Sequence, residues 1–173
     1  AFMDFCEEGS AKHYAVERDG ILVLRSMTKF YALPGVRLGY AIGNASLIAR
    51  MAEIREPWSV NTPAQAAGLA SLADAEYATA TRNLVISGRA HLFAGLAAIP
   101  GFAPLPSAAN YLLVEIAAGK SAMELAGQLM ARLILIRGCA NFAGLDDRFF
   151  RVAVRSREEN DRLLVALAEL RAI

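Results

Sequence analysis

Short apolar runs in the first part of the chain alternate with longer stretches that have a helical spacing of apolar residues. The runs Ile21 to Leu24 and Gly39 to Gly43 predict two buried strands. Helical spacing predicts helices over Glu7 to Arg18 and over Ala45 to Arg55, and Pro57 follows the second of these. Alternation of this kind is typical of an α/β domain.

The second part of the chain begins with two helical stretches, Pro63 to Leu72 and Ala75 to Ala98. The second is long enough to run between two lobes, so we predict a domain boundary near Ala78. Beyond it the pattern predicts an α+β domain. Its strands are expected at Asn110 to Ile116, Leu133 to Ile136 and Phe149 to Arg155, and its helices at Ser121 to Arg132 and Arg157 to Ala172.

A lysine lies in the polar loop that follows the first predicted strand. Lys29 is close in sequence to the hydroxyls of Ser26 and Thr28 and to Arg37. A nucleophilic lysine needs partial desolvation or nearby cations to be an amine near neutral pH, and a phosphorylated carbonyl cofactor needs hydroxyls and an arginine for its phosphate. Pyridoxal phosphate (PLP) meets both demands. The alternative is an ordinary surface lysine.

The spacing Ser26-x-x-Lys29, followed by Pro34-Gly35-x-Arg37-Leu38-Gly39-Tyr40, resembles the lysine loop of the fold-type I PLP enzymes, the aspartate aminotransferase superfamily. The resemblance implies that Lys29 forms the imine with the cofactor aldehyde, while Ser26 and Arg37 hold the cofactor phosphate. It implies an α/β fold in which residues 1–78 are the C-terminal part of the large PLP-binding domain. Residues 79–173 would then form the small α+β C-terminal domain.

The start of the chain extends this resemblance. Ala1 to Phe5 is similar to the end of the superfamily's Asp-x-Ala-Tyr strand, whose aspartate pairs with the cofactor's pyridine nitrogen. That aspartate would precede Ala1, so we expect this chain to be the C-terminal part of a longer enzyme. Phe2 stands where many relatives carry a tyrosine that contacts the cofactor, and a phenylalanine there can stack or pack but cannot donate a hydrogen bond.

Two arginines in the last predicted strand suggest an anion site. Arg151 and Arg155 are four residues apart, so both are predicted on one face of the strand, where they would repel each other unless an anion lay between them. By resemblance, Arg151 matches the superfamily arginine that binds the substrate α-carboxylate with a bidentate fork. For Arg155 a solvated or structural role is an equal alternative.

Three segments of the chain, Thr28 to Gly35, Ile134 to Phe142 and Arg151 to Asn160, carry a closer resemblance. They resemble one branch of the superfamily, the L-threonine-O-3-phosphate decarboxylases of cobalamin biosynthesis, which make aminopropanol phosphate. The resemblance implies that Arg137 contacts the phosphorylated substrate, and the alternative is an arginine that extends from a strand end into solvent. The related histidinol-phosphate aminotransferases are expected to have Ser-Lys at the cofactor lysine and glycine at position 155.

The residues alone leave the reaction open. The same arginines serve decarboxylation if the carboxylate is held perpendicular to the cofactor ring, and transamination if the Cα hydrogen is held there. A histidinol-phosphate or related aminotransferase is therefore an alternative, and so is a non-catalytic sensor module with the PLP fold. The resemblance further implies a small phosphorylated amino acid as substrate and a homodimer.

Composition changes this picture little. The chain has 173 residues, 55% of them hydrophobic and 20% charged, with a net charge of +1, so nothing calls for a nucleic-acid partner. No apolar run approaches the ~20 residues of a membrane span, and we expect a cytoplasmic protein. The two cysteines and two histidines have no metal-ligand spacing, so we expect no metal site.

Overall fold

The structure is a computed structural model that describes residues 1–117 and 119–171. The chain divides into two compact units, Ala1–Arg82 and Asn83–Ile173. Their border lies on the same long helix as the predicted boundary near Ala78, and the assignment of the units to a large and a small domain of a longer enzyme stays a prediction. None of the helices in the described residues is both long and apolar enough to cross a membrane.

The first unit is built around a two-stranded antiparallel sheet. Strand β1 (Val23–Ser26) pairs with β2 (Gly39–Ile42), and Ser26 lies opposite Gly39. Two 3-10 helices, Met3–Phe5 and Glu7–Gly9, and helix α1 (Lys12–Glu17) precede the sheet, while α2 (Ala45–Ile54), α3 (Thr62–Ala73) and the start of α4 (Ala75–Ala98) follow it.

Side-chain caps fix where the helices of this unit begin. Asn44 precedes α2, Asn61 precedes α3 and Asp74 precedes α4, and each side chain accepts a hydrogen bond from the backbone amide three residues later, at 2.8 to 2.9 Å. Ser10 acts in a related way, because its hydroxyl accepts from the Lys12 amide at 3.2 Å. The single helix predicted over Glu7 to Arg18 is therefore wrong: Ser10 is extended and separates a 3-10 turn from α1.

The second unit contains a four-stranded antiparallel sheet in the order β3-β4-β6-β5. Its strands are β3 (Phe102–Pro104), β4 (Tyr111–Ile116), β5 (Arg137–Gly138) and β6 (Phe149–Ala153), and its helices are α5 (Ala122–Met130), α6 (Arg157–Arg171) and the later turns of α4. Alternate strand residues form the buried face of the sheet, as expected for period-two side chains. These residues pack with leucines of the helices: Leu112, Val114, Phe150 and Val152 with Leu92, Leu96, Leu125, Leu129, Leu163 and Leu167.

Two strand predictions in this unit are corrected. Leu133 to Ile136 is not a strand, because Leu133 has a positive φ of 59° in a turn and the side chains of Leu133 and Leu135 are exposed. Strand β5 begins only at Arg137. Strand β6 ends at Ala153, so Arg155 does not share its face with Arg151; instead the Arg155 amide donates to Asn160 Oδ1 at 3.0 Å.

The contacts of Arg155 are explained by the capping residues at the start of α6. Ser156 Oγ accepts from the Glu159 amide at 3.3 Å and Glu159 Oε2 accepts from the Ser156 amide at 3.2 Å, which is a capping box. Arg155 Nε donates to Glu159 Oε1 at 3.1 Å. The hydrogen bond from Arg155 has the largest effect on the pKa of Glu159 and those from Ser156 the next largest, and together they lower this pKa to about 2. Arg155 is thus a structural partner of α6.

The low pKa of Glu159 predicts that acid destabilises the first turn of α6. The folded pKa of Glu159 lies below its ordinary value of 4.5, so its contribution to stability is present above pH 4.5 and is lost as pH falls toward 2. A carbon-13 NMR titration of the complete protein should give a Glu159 midpoint near 2, and the first turn of α6 should lose amide protection over the same range. Glu159→Gln should remove that pH step, and a wild-type midpoint near 4.5 would contradict the prediction.

Candidate functional site

The loop that carries Lys29 connects β1 to β2 and is closed by its own backbone. The Met27 amide donates to Leu38 O at 3.1 Å, and the Leu33 amide donates to Met27 O at 3.2 Å. Met27 and Phe30 are each 1% exposed, whereas Lys29 is exposed. The sequence alternates here between buried apolar anchors and polar residues, and this leaves the lysine side chain in solvent.

Hydroxyl groups lie next to the lysine in this loop. Ser26 Oγ and Thr28 Oγ1 are 2.9 Å apart, and the Thr28 amide donates to Ser26 Oγ at 3.3 Å. Arg37 has a positive φ of 54°, a left-handed conformation that costs a non-glycine residue about 1–3 kcal/mol and must be held by the surrounding loop. Its Nη1 donates to Pro34 O at 2.8 Å, so the guanidinium folds back on the loop and forms no hydrogen bond with either hydroxyl in the described residues.

Lys29 is not desolvated by its own unit. Its side chain is exposed, and Nζ has no hydrogen-bond or ion-pair partner within residues 1–117 and 119–171. A reactive lysine is expected to be partly desolvated or close to other cations, and burial within the first unit does not provide the desolvation. The amine is accessible, and its reactivity depends on what else surrounds it.

A buried ionic network lies directly before the loop, and the sequence reasoning missed it. The side chains of Arg25 and Asp4 are almost fully buried, with Arg25 Nη1 2.8 Å from Asp4 Oδ1 and 2.9 Å from Glu7 Oε1. Arg25 Nη2 also donates to Ser10 Oγ at 2.7 Å. An arginine within an otherwise apolar strand was the available signal, because such a residue is rarely buried unless it is paired.

The network sets the charge state of its neighbours. Burial acts to raise the pKa of Glu7, but hydrogen bonds from Arg25 and Lys12 outweigh it and leave that pKa lowered. Tyr40 lies opposite Arg25 on β2, and burial together with the negative charge of Asp4 raises its pKa to about 12. The Glu7 carboxylate therefore stays ionised and the Tyr40 phenol stays neutral near pH 7.

The second unit places two arginines side by side. Arg137 on β5 lies directly opposite Arg151 on β6, and like charges in opposed positions of a sheet are destabilising. Each guanidinium lies near an aromatic ring, Arg151 at 4.7 Å from the centroid of Tyr111 and Arg137 at 5.5 Å from that of Phe142. Within the described residues neither arginine forms an ion pair with a carboxylate. The pair is therefore suited to bind an anion.

The predicted site residues thus form two groups. Ser26, Lys29 and Arg37 lie in the loop of the first unit, and Arg137 and Arg151 lie on neighbouring strands of the second. Phe2 is half-buried, and its carbonyl accepts from the Phe5 amide at 3.1 Å. No group of histidine, cysteine, aspartate and glutamate side chains in the described part of the chain could hold a metal ion.

The sequence matches a known protein family over nearly its whole length. Residues 1–167 match the family described as aminotransferase class I and II. The chain belongs to this family. The fold expected from the lysine loop, an α/β part followed by an α+β part of the PLP-dependent transferase type, is confirmed by this match and by similar solved structures.

Curated relatives come from two branches of the family. A threonine-phosphate decarboxylase of Salmonella typhimurium is 41% identical over 96% of this chain and 46% of its own length. A histidinol-phosphate aminotransferase of Methanothermobacter thermautotrophicus is 33% identical over 89% of this chain and 42% of its own length. The chain thus spans about half the length of the curated relatives it matches.

Solved structures of similar fold also match this chain over about half of their own length. The histidinol-phosphate aminotransferase of Clostridium acetobutylicum superposes with a TM-score of 0.91 at 29% identity, covering 99% of this chain and 52% of the other. The enzyme of the same name from Sinorhizobium meliloti, in complex with pyridoxal-5'-phosphate, gives a TM-score of 0.76 at 28% identity, covering 96% of this chain and 47% of the other.

Gly39, the first residue of β2 after the lysine loop, is predicted not to tolerate a side chain, because β2 comes close to β1 there. A Cβ on Gly39 would lie 2.7 Å from the backbone oxygen of Arg25, so Gly39→Ala must push the strands apart. We expect the complete protein to lose about 1–3 kcal/mol of unfolding free energy in urea. Gly35→Ala, in the same loop with nothing within 4 Å of its Cβ, is the control, and an equal loss in both variants would contradict the steric explanation.

Proposed function

We propose that this chain is part of a PLP-dependent enzyme that decarboxylates L-threonine O-3-phosphate to aminopropanol phosphate in cobalamin biosynthesis. The observation that carries the proposal is the opposed pair Arg137 and Arg151, two cations without a carboxylate partner in the described residues, in a chain that also has an accessible Lys29. The substrate has two anionic groups, a carboxylate and a phosphate. The higher identity to a decarboxylase, 41% against 33% for an aminotransferase, supports the same choice.

The residues of the first unit fit the cofactor. Lys29 would form the covalent link, and the paired hydroxyls of Ser26 and Thr28 would donate to the cofactor phosphate. Arg37 would reach that phosphate by leaving Pro34 O, an exchange of a neutral acceptor for a charged one that strengthens the hydrogen bond. When bound, PLP supplies an electron sink for the electrons of the bond that breaks at Cα.

The arginine pair would then hold and orient the substrate. We assign Arg151, half-buried against Tyr111, to the α-carboxylate, and the more exposed Arg137 to the substrate phosphate. Two arginines at opposed strand positions would hold the carboxylate and the phosphate of the substrate at separate points, and the direction of the carboxylate relative to the cofactor decides which bond at Cα breaks. As part of the same proposal, the complete enzyme is a cytoplasmic homodimer.

Histidinol-phosphate aminotransfer is the second candidate. It is favoured by the TM-score of 0.91 to an enzyme of that name and by the presence of a phosphate in both substrates. A non-catalytic PLP-fold sensor is less favoured, because a sensor needs the cofactor but has no need for an intact arginine pair. The test is to incubate the complete protein separately with threonine phosphate and with histidinol phosphate plus an oxo acid. Release of CO2 from the first supports the proposal, and amino transfer from the second contradicts it.

Covalent trapping tests the lysine assignment. Borohydride reduction of the complete protein with PLP, followed by peptide mapping, should place the label on Lys29. Lys29→Ala should abolish turnover while it retains weak PLP binding through Ser26 and Arg37, because the covalent link is one contact among several. Lys12→Ala, which removes a lysine paired with Glu7, is the control and should be labelled like the wild type. A label on another lysine would refute the assignment.

A comparison of threonine phosphate with threonine distinguishes the proposed roles of Arg151 and Arg137. Arg151→Lys keeps the charge but loses the planar fork, so it should impair threonine phosphate and threonine alike. Arg137→Lys should reduce kcat/KM for threonine phosphate by one to two decades more than for threonine, since a lost charge-assisted contact is worth roughly 1.5–3 kcal/mol.

The control for both is Arg148→Lys, an exposed arginine of the same unit that is already paired with Asp146 and Glu115. It should leave both substrates unaffected. Equal proportional losses for threonine and threonine phosphate in Arg137→Lys would refute its phosphate role.

A further inference from the structure

We propose that Tyr77 is a positioning residue for Lys29, and this inference rests on the proposed function of Lys29 as the cofactor lysine. Tyr77 lies 47 positions after Phe30 in the chain, yet its hydroxyl donates to the backbone carbonyl of Phe30 at 2.9 Å. Phe30 is the residue directly after Lys29. The hydrogen bond therefore fixes the backbone on one side of the reactive lysine from a different element of the same unit.

Tyr77 is 38% exposed, but both its backbone and its ring are held by neighbouring residues. It lies in the first turn of α4, and its backbone amide donates to the capping side chain of Asp74 at 2.8 Å. Its ring stacks on that of Tyr31, with centroids 6.3 Å apart and 20° between the planes, and meets Phe30 edge-on at 6.3 Å. Both the hydroxyl and the ring of Tyr77 thus contact residues that directly follow Lys29.

A second residue of α4 holds the side chain of Phe30. The guanidinium of Arg82 lies 5.1 Å from the centroid of the Phe30 ring, and Arg82 Nε donates to Asp4 O at 3.0 Å. Phe5 packs edge-on against the same ring at 5.1 Å. Phe30 is 1% exposed, so its side chain has no room to move while these contacts persist.

The other side of the lysine is fixed as well. Arg25 holds the end of β1 through the buried network with Asp4, and Met27 is buried and bonded to Leu38 O. Only Thr28 and Lys29 lie between the two held residues, Met27 and Phe30. The backbone at Lys29 is therefore held by Met27 before it and by Phe30 after it, and this sets the point from which the exposed side chain starts. The Tyr77 hydroxyl is the one side-chain group in the described residues that bonds the Phe30 carbonyl.

Tyr77→Phe in the complete, cofactor-loaded enzyme removes that hydroxyl and keeps the ring. We expect kcat to fall about three- to tenfold, the effect of one modest hydrogen bond, with KM changed less than about twofold. The pH midpoint of the bound cofactor's visible absorbance should shift, because the lysine nitrogen is less well directed. In the cofactor-free protein, the Leu33 amide, which donates to Met27 O in the same loop, should exchange about three- to tenfold faster.

The matched control is Tyr14→Phe, in which an exposed tyrosine of the same unit loses a hydroxyl with no hydrogen bond in the described residues. It should match the wild type in every measurement. If Tyr77→Phe lowers the melting temperature but leaves kcat, the absorbance midpoint and Leu33 exchange at wild-type values, Tyr77 is merely structural and the proposal is overturned.

Borohydride labelling separates this inference from the one on which it rests. A wild-type label on Lys29, together with wild-type behaviour of Tyr77→Phe, overturns the positioning role alone. A wild-type label on another lysine overturns the proposed function, and the positioning role with it. A label on Lys29 with the expected losses in Tyr77→Phe supports both.

Discussion

The first unit depends on the burial of one cation, Arg25. Removing a guanidinium from water is expensive, and the cost is offset only if charged partners and hydrogen bonds surround it. Asp4, Glu7 and Ser10 provide these from the first ten residues of the chain. The network therefore holds the N-terminal turns against β1, and β1 delivers Ser26 and the lysine loop. Loss of one partner of a buried pair typically costs about 3–5 kcal/mol, because the other charge stays behind.

The lysine loop and the arginine pair illustrate two ways of holding a polar group ready. Buried apolar neighbours, Met27 and Phe30, fix the backbone around Lys29 while the amine itself stays in solvent. In the second unit the strand register holds Arg137 and Arg151 opposite each other, and each charge is moderated by an aromatic ring rather than by a carboxylate. In both cases a charged side chain is left without a carboxylate partner in the described residues, while the backbone that carries it is held by its neighbours.

Arg155 shows why an arginine cannot be assigned from strand periodicity alone. Spacing placed it on the face of Arg151, but Ser156 and Glu159 begin a helix that ends the strand first, and Glu159 then captures the guanidinium. Leu133 and Leu135 make a similar point, because their apolar run predicts a buried strand, yet Leu133 lies in a turn and both side chains are exposed. Side-chain capping by Ser156 and Glu159 outweighed the strand pattern at Arg155, and backbone hydrogen bonds from Leu133 and Ile134 to the last turn of α5 outweighed it at the apolar run.

The sequence by itself determined the family, the lysine loop with Ser26 and Arg37, and the approximate positions of most helices. These features are local: loop spacing, capping residues and apolar periodicity act within a few residues of one another. Only the tertiary structure decided that Arg25 is buried with Asp4, that Tyr77 bonds the carbonyl of Phe30, and that Arg137 lies opposite Arg151. Each of those contacts joins residues far apart in the chain, and strand register and packing select the partners. An arginine in an apolar strand signals that Arg25 needs a partner, but nothing local identifies Asp4 as that partner.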